Sequence, residues 1–304
     1  MGGMPLRYDI VDVFTDRPFA GNQLAVVHGA DELSTQQCQA LAREFGFSES
    51  TFPSSKVTGG AAYATRIFTP EQEIPFAGHP TLGTAWVLRS LGLLTADEVT
   101  QDCGAGTIGV RFDGELVELS AAPHDLAGPV PTDVVRGLLR MLGLSVSDLA
   151  GETWVAGCGL SFVHVPVSEE AVVRAVPTSG RFPDLAAKLA GLGRVDDLLD
   201  AVNLYAVAGD APRLDVHARV FVPGAGVPED PATGSAAAGL GMALVATGLL
   251  PEGGGYTITQ GVEMGRPSSL SGRVEATGGT ATRCHADGQV PPVASGEIAV
   301  PPRS

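Results

Sequence analysis

The chain has 304 residues, 44% of them hydrophobic and 17% charged, which is enough for two cores of ordinary size. Its formal net charge is −15, so its surface repels nucleic acid and anionic membranes, and neither is expected as a partner. That charge does not exclude a small acidic substrate, because a local field can oppose the net one.

The first seven residues carry no apolar signal core, so a cytoplasmic location is expected. Tyr8 to Phe14 alternates as a strand and ends in the turn Thr15-Asp16-Arg17-Pro18. Gly21-Asn22 leads into the apolar run Leu24 to Val27. Ser34 suits the N-cap of a helix from Thr35 to Phe45, and Gly46 suits its stop. Phe47 to Phe52 then begins an extended segment holding Glu49. Phe47 and Phe52 are expected to desolvate Glu49 and raise its carboxyl pKa, although a lone Glu beside a strand is usually solvated. Ala62 to Thr69 reads as a strand, and His79 opens an apolar helix from Pro80 to about Leu94. Gly104 to Gly109 spells G-x-G-x-x-G, but a hairpin pattern follows it where a dinucleotide site needs a helix.

Ala121 to Asp133, rich in Pro, Gly and Ala, is the expected linker. It separates a domain of residues 1–126 from one of residues 127–304, whose final strand is free to pack back on the first. Thr132 to Leu142 and Phe182 to Leu192 read as helices. Trp154 to Val167, Asp200 to Ala208 and Ala218 to Val222 read as strands. Asp230 suits an N-cap and Pro231 a first helical position. From there to Leu250 the chain carries no charge and is apolar on every side, as a helix surrounded by protein is. Its Gly, Ala, Ser and Thr content is too weakly hydrophobic for a membrane span. Tyr256 to Gly261 closes the pattern as a strand and a glycine turn.

Two stretches repeat one design. Arg66-Ile67-Phe68-Thr69-Pro70 resembles Arg219-Val220-Phe221-Val222-Pro223. Gly78-His79-Pro80-Thr81-Leu82-Gly83-Thr84-Ala85 resembles Glu229-Asp230-Pro231-Ala232-Thr233-Gly234-Ser235-Ala236 without a gap. Such a repeat argues for two similar domains, each with a strand, a loop and a buried central helix. Should the halves face each other, two helix N-termini would converge on one cleft and favour an anion such as a carboxylate. His79 and Asp230 hold matching places in the repeat. Cys38, Cys103, Cys158 and Cys284 lie far apart, and the other histidines lack ligand spacing, so reduced thiols and no metal are expected.

Glu73-Ile74-Pro75-Phe76-Ala77-Gly78-His79-Pro80-Thr81-Leu82-Gly83 resembles the PhzF (phenazine biosynthesis-like) family. So do Asp230-Pro231-Ala232-Thr233-Gly234-Ser235-Ala236, Phe19-Ala20-Gly21-Asn22, Phe47 to Phe52, and Gln260 to Ser268, in the family's order. The resemblance implies the α+β, diaminopimelate epimerase-like fold: two related domains, each a curved mixed sheet around a central helix. It implies a cofactor-independent isomerase that moves a proton on a small carboxylate-bearing metabolite. Glu49 matches the family's acid–base residue. His79 and Asp230 would hold and polarise the substrate. Ser235 and the backbone N–H groups of Gly78 and Gly234 would bind its carboxylate. Racemases of this fold place a cysteine at each helix start; here His79 and Asp230 take those places, which argues against a two-thiol mechanism. The family's named reaction acts on a dihydro-hydroxyanthranilate. An amino-acid or hydroxy-acid racemase or epimerase, and a non-catalytic small-acid binder, are the alternatives, and a homodimer stays open. The tail departs from the family, with Arg283 to Pro292 expected as a lengthened surface connection.

Overall fold

The computed structural model describes residues 4–57, 60–182, 185–189, 191–193, 199–225 and 227–302. Contacts divide the chain into two compact units, Met1–Ser120 with Asp287–Ser304, and Ala121–Ala286. No helix among the described residues is long and apolar enough to cross a membrane.

The first unit runs β1 (Leu6–Val13), β2 (Asn22–Val27), α1 (Thr35–Phe45), β3 (Glu49–Ser54), β4 (Tyr63–Phe68), β5 (Glu73–Ile74), α2 (Gly78–Ser90), β6 (Glu98–Cys103), β7 (Gly106–Asp113) and β8 (Leu116–Ala121). α1 forms where its caps place it: Ser34 and Gln37 make a reciprocal capping box, and Gly46 stops the helix in the left-handed region at φ 66°. Its apolar side, Cys38, Leu41 and Ala42, packs with Phe52 and Phe68 on one face of the sheet. α2 covers the other face and is buried on nearly every side.

The second unit runs β9 (Asp125–Ala127), α3 (Thr132–Met141), β10 (Trp154–Gly157), β11 (Ser161–Pro166), α4 (Glu169–Arg174), α5 (Leu185–Leu189), β12 (Val202–Asp210), β13 (Arg213–Val222), β14 (Val227–Asp230), α6 (Gly234–Ala246), β15 (Gly253–Gln260), β16 (Ser268–Thr277) and β17 (Thr280–Gly288). α3, α4 and α5 bury Leu138, Val172 and Leu185 against outward residues of β10 to β13. On the opposite face Ala236 of α6 meets Phe162 and Val220. Sandwiched strands read as continuous apolar runs, which is why every residue of β11 is buried.

Strand pairing repeats between the units. β1 and β2 are antiparallel, β2 and β3 parallel, β3 and β4 antiparallel, β4 and β6 parallel, and β6 and β7 antiparallel. β10 to β11, β11 to β12, β12 to β13, β13 to β15 and β15 to β16 follow the same sequence of orientations. The short β5 and β14 each pair antiparallel with the strand before the central helix. β9 pairs with β10. The corresponding place beside β1 is taken by the chain's last strand, β18 (Pro292–Ile298).

Side chains repeat as well. Arg66 grips Glu73 through two bonds of 2.7 Å, with its guanidinium 5.0 Å from the Phe68 ring centre. Arg219 grips Glu229 through bonds of 2.7 and 2.8 Å, 5.3 Å from the Phe221 ring. Arg219 is buried and also donates to the Val172 and Ala175 carbonyls at the end of α4.

Five expectations shift. α2 begins at Gly78 and stops at Ser90, short of Leu94, because Gly92 at φ 74° turns the chain. α6 begins at Gly234 with Thr233 as N-cap, so Asp230 does not cap it and Pro231 precedes it. Asp230 is instead held in the sheet as the last residue of β14, opposite Val220. The expected linker contributes β9 and the start of α3. The expected lengthened connection shrinks to Gln289–Pro291, because β17 continues to Gly288; the Gln289 carbonyl accepts the Phe14 N–H, and that of Pro291 the Asp12 N–H. Of the helix expected over 182–192, residues 185–189 are helical, and 183, 184 and 190 lie outside the described residues.

Candidate active site

In the first unit the site is built from β2, β3 and the first turn of α2. Side chains of a strand alternate between faces. Glu49 and Thr51 of β3 therefore share one face, and the Thr51 hydroxyl lies 2.8 Å from that of Thr84 on α2. Glu49, one step earlier, reaches the start of α2. Its Oε2 is 3.5 Å from His79 Nε2, in a pair whose side chains are 16% and 4% exposed.

Phe52 points to the opposite face, edge-on to Phe68, and Phe47 stacks on Phe45. The expected aromatic desolvation of Glu49 by these two rings does not occur. Period-two alternation sends Phe52 to the α1 side, and Phe47 follows the aromatic residue that ends α1. On its own face of β3 Glu49 meets His79 of α2 instead.

Burial pushes the His79 imidazole down to about 3, and a hydrogen bond with the Gln23 backbone offsets only part of this. The ring is therefore neutral at neutral pH, and its pairing with Glu49 is dipolar, not ionic. Asn22 Nδ2 lies 3.2 Å from His79 Nδ1, and the Ser48 hydroxyl donates to Asn22 Oδ1 at 3.0 Å. Asn22 thus ties β2 to the ring that faces Glu49.

In the second unit Asp230, Gly234 and Ser235 come from one strand–loop–helix junction. All three are buried. The Thr233 hydroxyl donates to Asp230 Oδ2 at 2.5 Å. Gln260 Nε2 donates to the Asp230 carbonyl at 2.8 Å and to Thr233 Oγ1 at 3.1 Å. Gly261 is required beside it: at φ 73°, an added Cβ would sit 2.6 Å from the Pro231 carbonyl oxygen. The turn after β15 therefore packs directly on the loop that carries Asp230.

Neither central helix has a side-chain cap from its own N-cap residue, Ala77 for α2 and Thr233 for α6. In each helix, taken by itself, the free first-turn N–H groups, including that of Gly78 or Gly234, and the positive end of the dipole suit an oxyanion. No group of His, Cys, Asp and Glu side chains among the described residues is arranged to hold a metal. Residues assigned no role in the sequence also shape the site. Asn22, Thr233 and Gln260 lie within the motifs, but their partners are set by strand pairing that no local pattern shows.

Residues 11–296 match the PhzC-PhzF family, phenazine biosynthesis-like protein. The chain is 38% identical over 287 residues to the trans-2,3-dihydro-3-hydroxyanthranilate isomerase of Pseudomonas fluorescens, covering 93% of this chain and 95% of that one. A predicted epimerase of known structure from Pseudomonas aeruginosa is 31% identical, with TM-score 0.76 over 96% of this chain and 99% of that one. A PhzF family protein from Bacillus anthracis, 24% identical, shares the fold at TM-score 0.83 over 97% and 99%. The repeated mixed sheets around α2 and α6 are the α+β, diaminopimelate epimerase-like fold. The chain belongs to the phenazine biosynthesis-like PhzC-PhzF family and is an isomerase of that family.

Proposed function

We propose that the enzyme moves a proton between two carbons of a small carboxylate-bearing metabolite, with Glu49 as the shuttling acid–base. The 3.5 Å approach of Glu49 Oε2 to the buried, neutral His79 ring carries this reading. A neutral imidazole beside the carboxylate leaves it basic, whereas an imidazolium would hold it ionised and weaken it as a base. Glu49 takes the proton from one carbon as the electron pair shifts along the substrate, exchanges with solvent, and then delivers a proton to another carbon. His79 and Asp230 hold and polarise the substrate's polar groups. Ser235 and the backbone N–H groups of Gly78 and Gly234 bind its carboxylate. The compound named for the Pseudomonas fluorescens relative, trans-2,3-dihydro-3-hydroxyanthranilate, is the first substrate to try.

Glu49→Gln keeps size and polarity but cannot shuttle a proton. It should fold as the parent does and lower turnover of that compound by about 10²–10⁴-fold. Activity within a few-fold of the parent would remove Glu49 from the mechanism. Deuterium incorporation in D₂O separates two outcomes: a shift labels a new carbon, whereas an epimerisation labels the carbon that lost the proton.

A further inference from the structure

We infer that Gln260 is a positioning residue for Asp230, acting through the Thr233 hydroxyl; the inference deepens the role given to Asp230 above and rests on it. The amide can sit only one way. Its Oε1 accepts the Thr233 backbone N–H at 3.3 Å. Its Nε2 carries two protons and meets two acceptors, the Asp230 carbonyl and Thr233 Oγ1. A flipped amide would set oxygen against oxygen at Asp230 and hydrogen against hydrogen at Thr233.

That polarity decides where the single hydroxyl proton of Thr233 goes. Its oxygen already accepts from Gln260, so its proton is directed at Asp230 Oδ2. Gln260, Thr233 and Asp230 are all buried, so water does not replace these bonds at low cost. The same elements carry further charged groups. Arg219 of β13 grips Glu229 of β14, and Glu263 of the following turn faces His217 at 3.1 Å and Arg219 at 3.9 Å. The Thr233 hydroxyl thus favours the carboxylate form of Asp230 and fixes its direction. The sheet places Gln260 there: it ends β15, which runs parallel to β13, while β14 pairs with β13 and ends at Asp230.

The test uses the full chain carrying ¹³C at aspartate carboxyl carbons, with the Asp230 signal identified by its loss in Asp230→Asn. Its titration midpoint should rise by about one pH unit in Gln260→Met and in Thr233→Val. Thr233→Ser, which restores the hydroxyl, should return it to the parent value. On trans-2,3-dihydro-3-hydroxyanthranilate the two disruptive variants should lower kcat about tenfold, displace its acid limb the same way and leave KM within about threefold. Should Gln260→Met fail to fold, the Thr233→Val and Thr233→Ser pair decides the relay. Midpoints unchanged in the disruptive variants overturn the inference, whatever turnover does. Shifted midpoints with parental turnover in Asp230→Asn would uphold the relay and remove Asp230 from the mechanism.

Discussion

His79 shows how burial assigns a role to one side chain. An exposed imidazole titrates near 6.5, whereas this one, inside the first turn of α2, is pushed down to about 3. His164 on β11, fully buried with Asn203 3.0 Å from its Nδ1, is likewise pushed down to about 4. Both rings fold neutral, while the unfolded chain binds protons there below its ordinary pKa. Stability from this source is therefore complete above about pH 6.5 and lost as pH falls toward the folded values. Each histidine should cost about 2 kcal/mol between pH 7 and pH 5. Urea unfolding at the two pH values measures this. His79→Gln and His164→Gln should each flatten the slope, and an unchanged slope would show that the ring is not desolvated as its burial requires.

Both central helices depend on small residues. A glycine inside a helix costs about 1 kcal/mol relative to alanine, so its presence needs a reason. At Gly83 of α2 the reason is contact: an added Cβ would lie 2.6 Å from Leu24 Cδ2 and 2.9 Å from Val13 Cγ2. Gly83→Ala should destabilise the protein by about 1–3 kcal/mol despite alanine's better helix propensity, as a shift in denaturant midpoint would show. A stabilised variant would mean that α2 can move off β1 and β2 freely. At the start of α6 the Asp-Pro pair reads as a cap and first turn, yet the helix waits until Gly234. Asp230 is already committed to β14, and the Gln260–Gly261 corner holds the intervening loop. Local capping preference is worth about 1 kcal/mol, which a strand pair and a buried amide together outweigh.

At the scale of the whole molecule the duplication is closed in two different ways. The second unit supplies its own β9 beside β10, whereas the first borrows β18 from the far end of the chain. Without β18, β1 would expose a row of unpaired N–H and C=O groups. A chain ending at Gln289 should lose amide protection in β1 and β2, while β10 to β12 keep theirs. Hydrogen exchange followed by mass spectrometry reads the two regions separately. Equal loss in both would mean that the units do not fold independently of this strand.

Resemblance to the family singled out Glu49, His79 and Asp230, while the repeat and the buried helices were legible in the chain itself. They rest on residue type and local spacing: uncharged apolar runs, Pro and Gly at turns, and two copies of one pattern. The burial that neutralises His79 could not be read that way, nor could the face of β3 that Phe52 occupies, or the pairing of Arg219 with Glu229. Nor could the hold of Gln260 on Asp230, which spans 30 residues of sequence. Each of these depends on which strands lie side by side and in what register. Register is a property of the assembled sheet, and a shift of one residue would turn Glu49 away from His79 and Phe52 toward it.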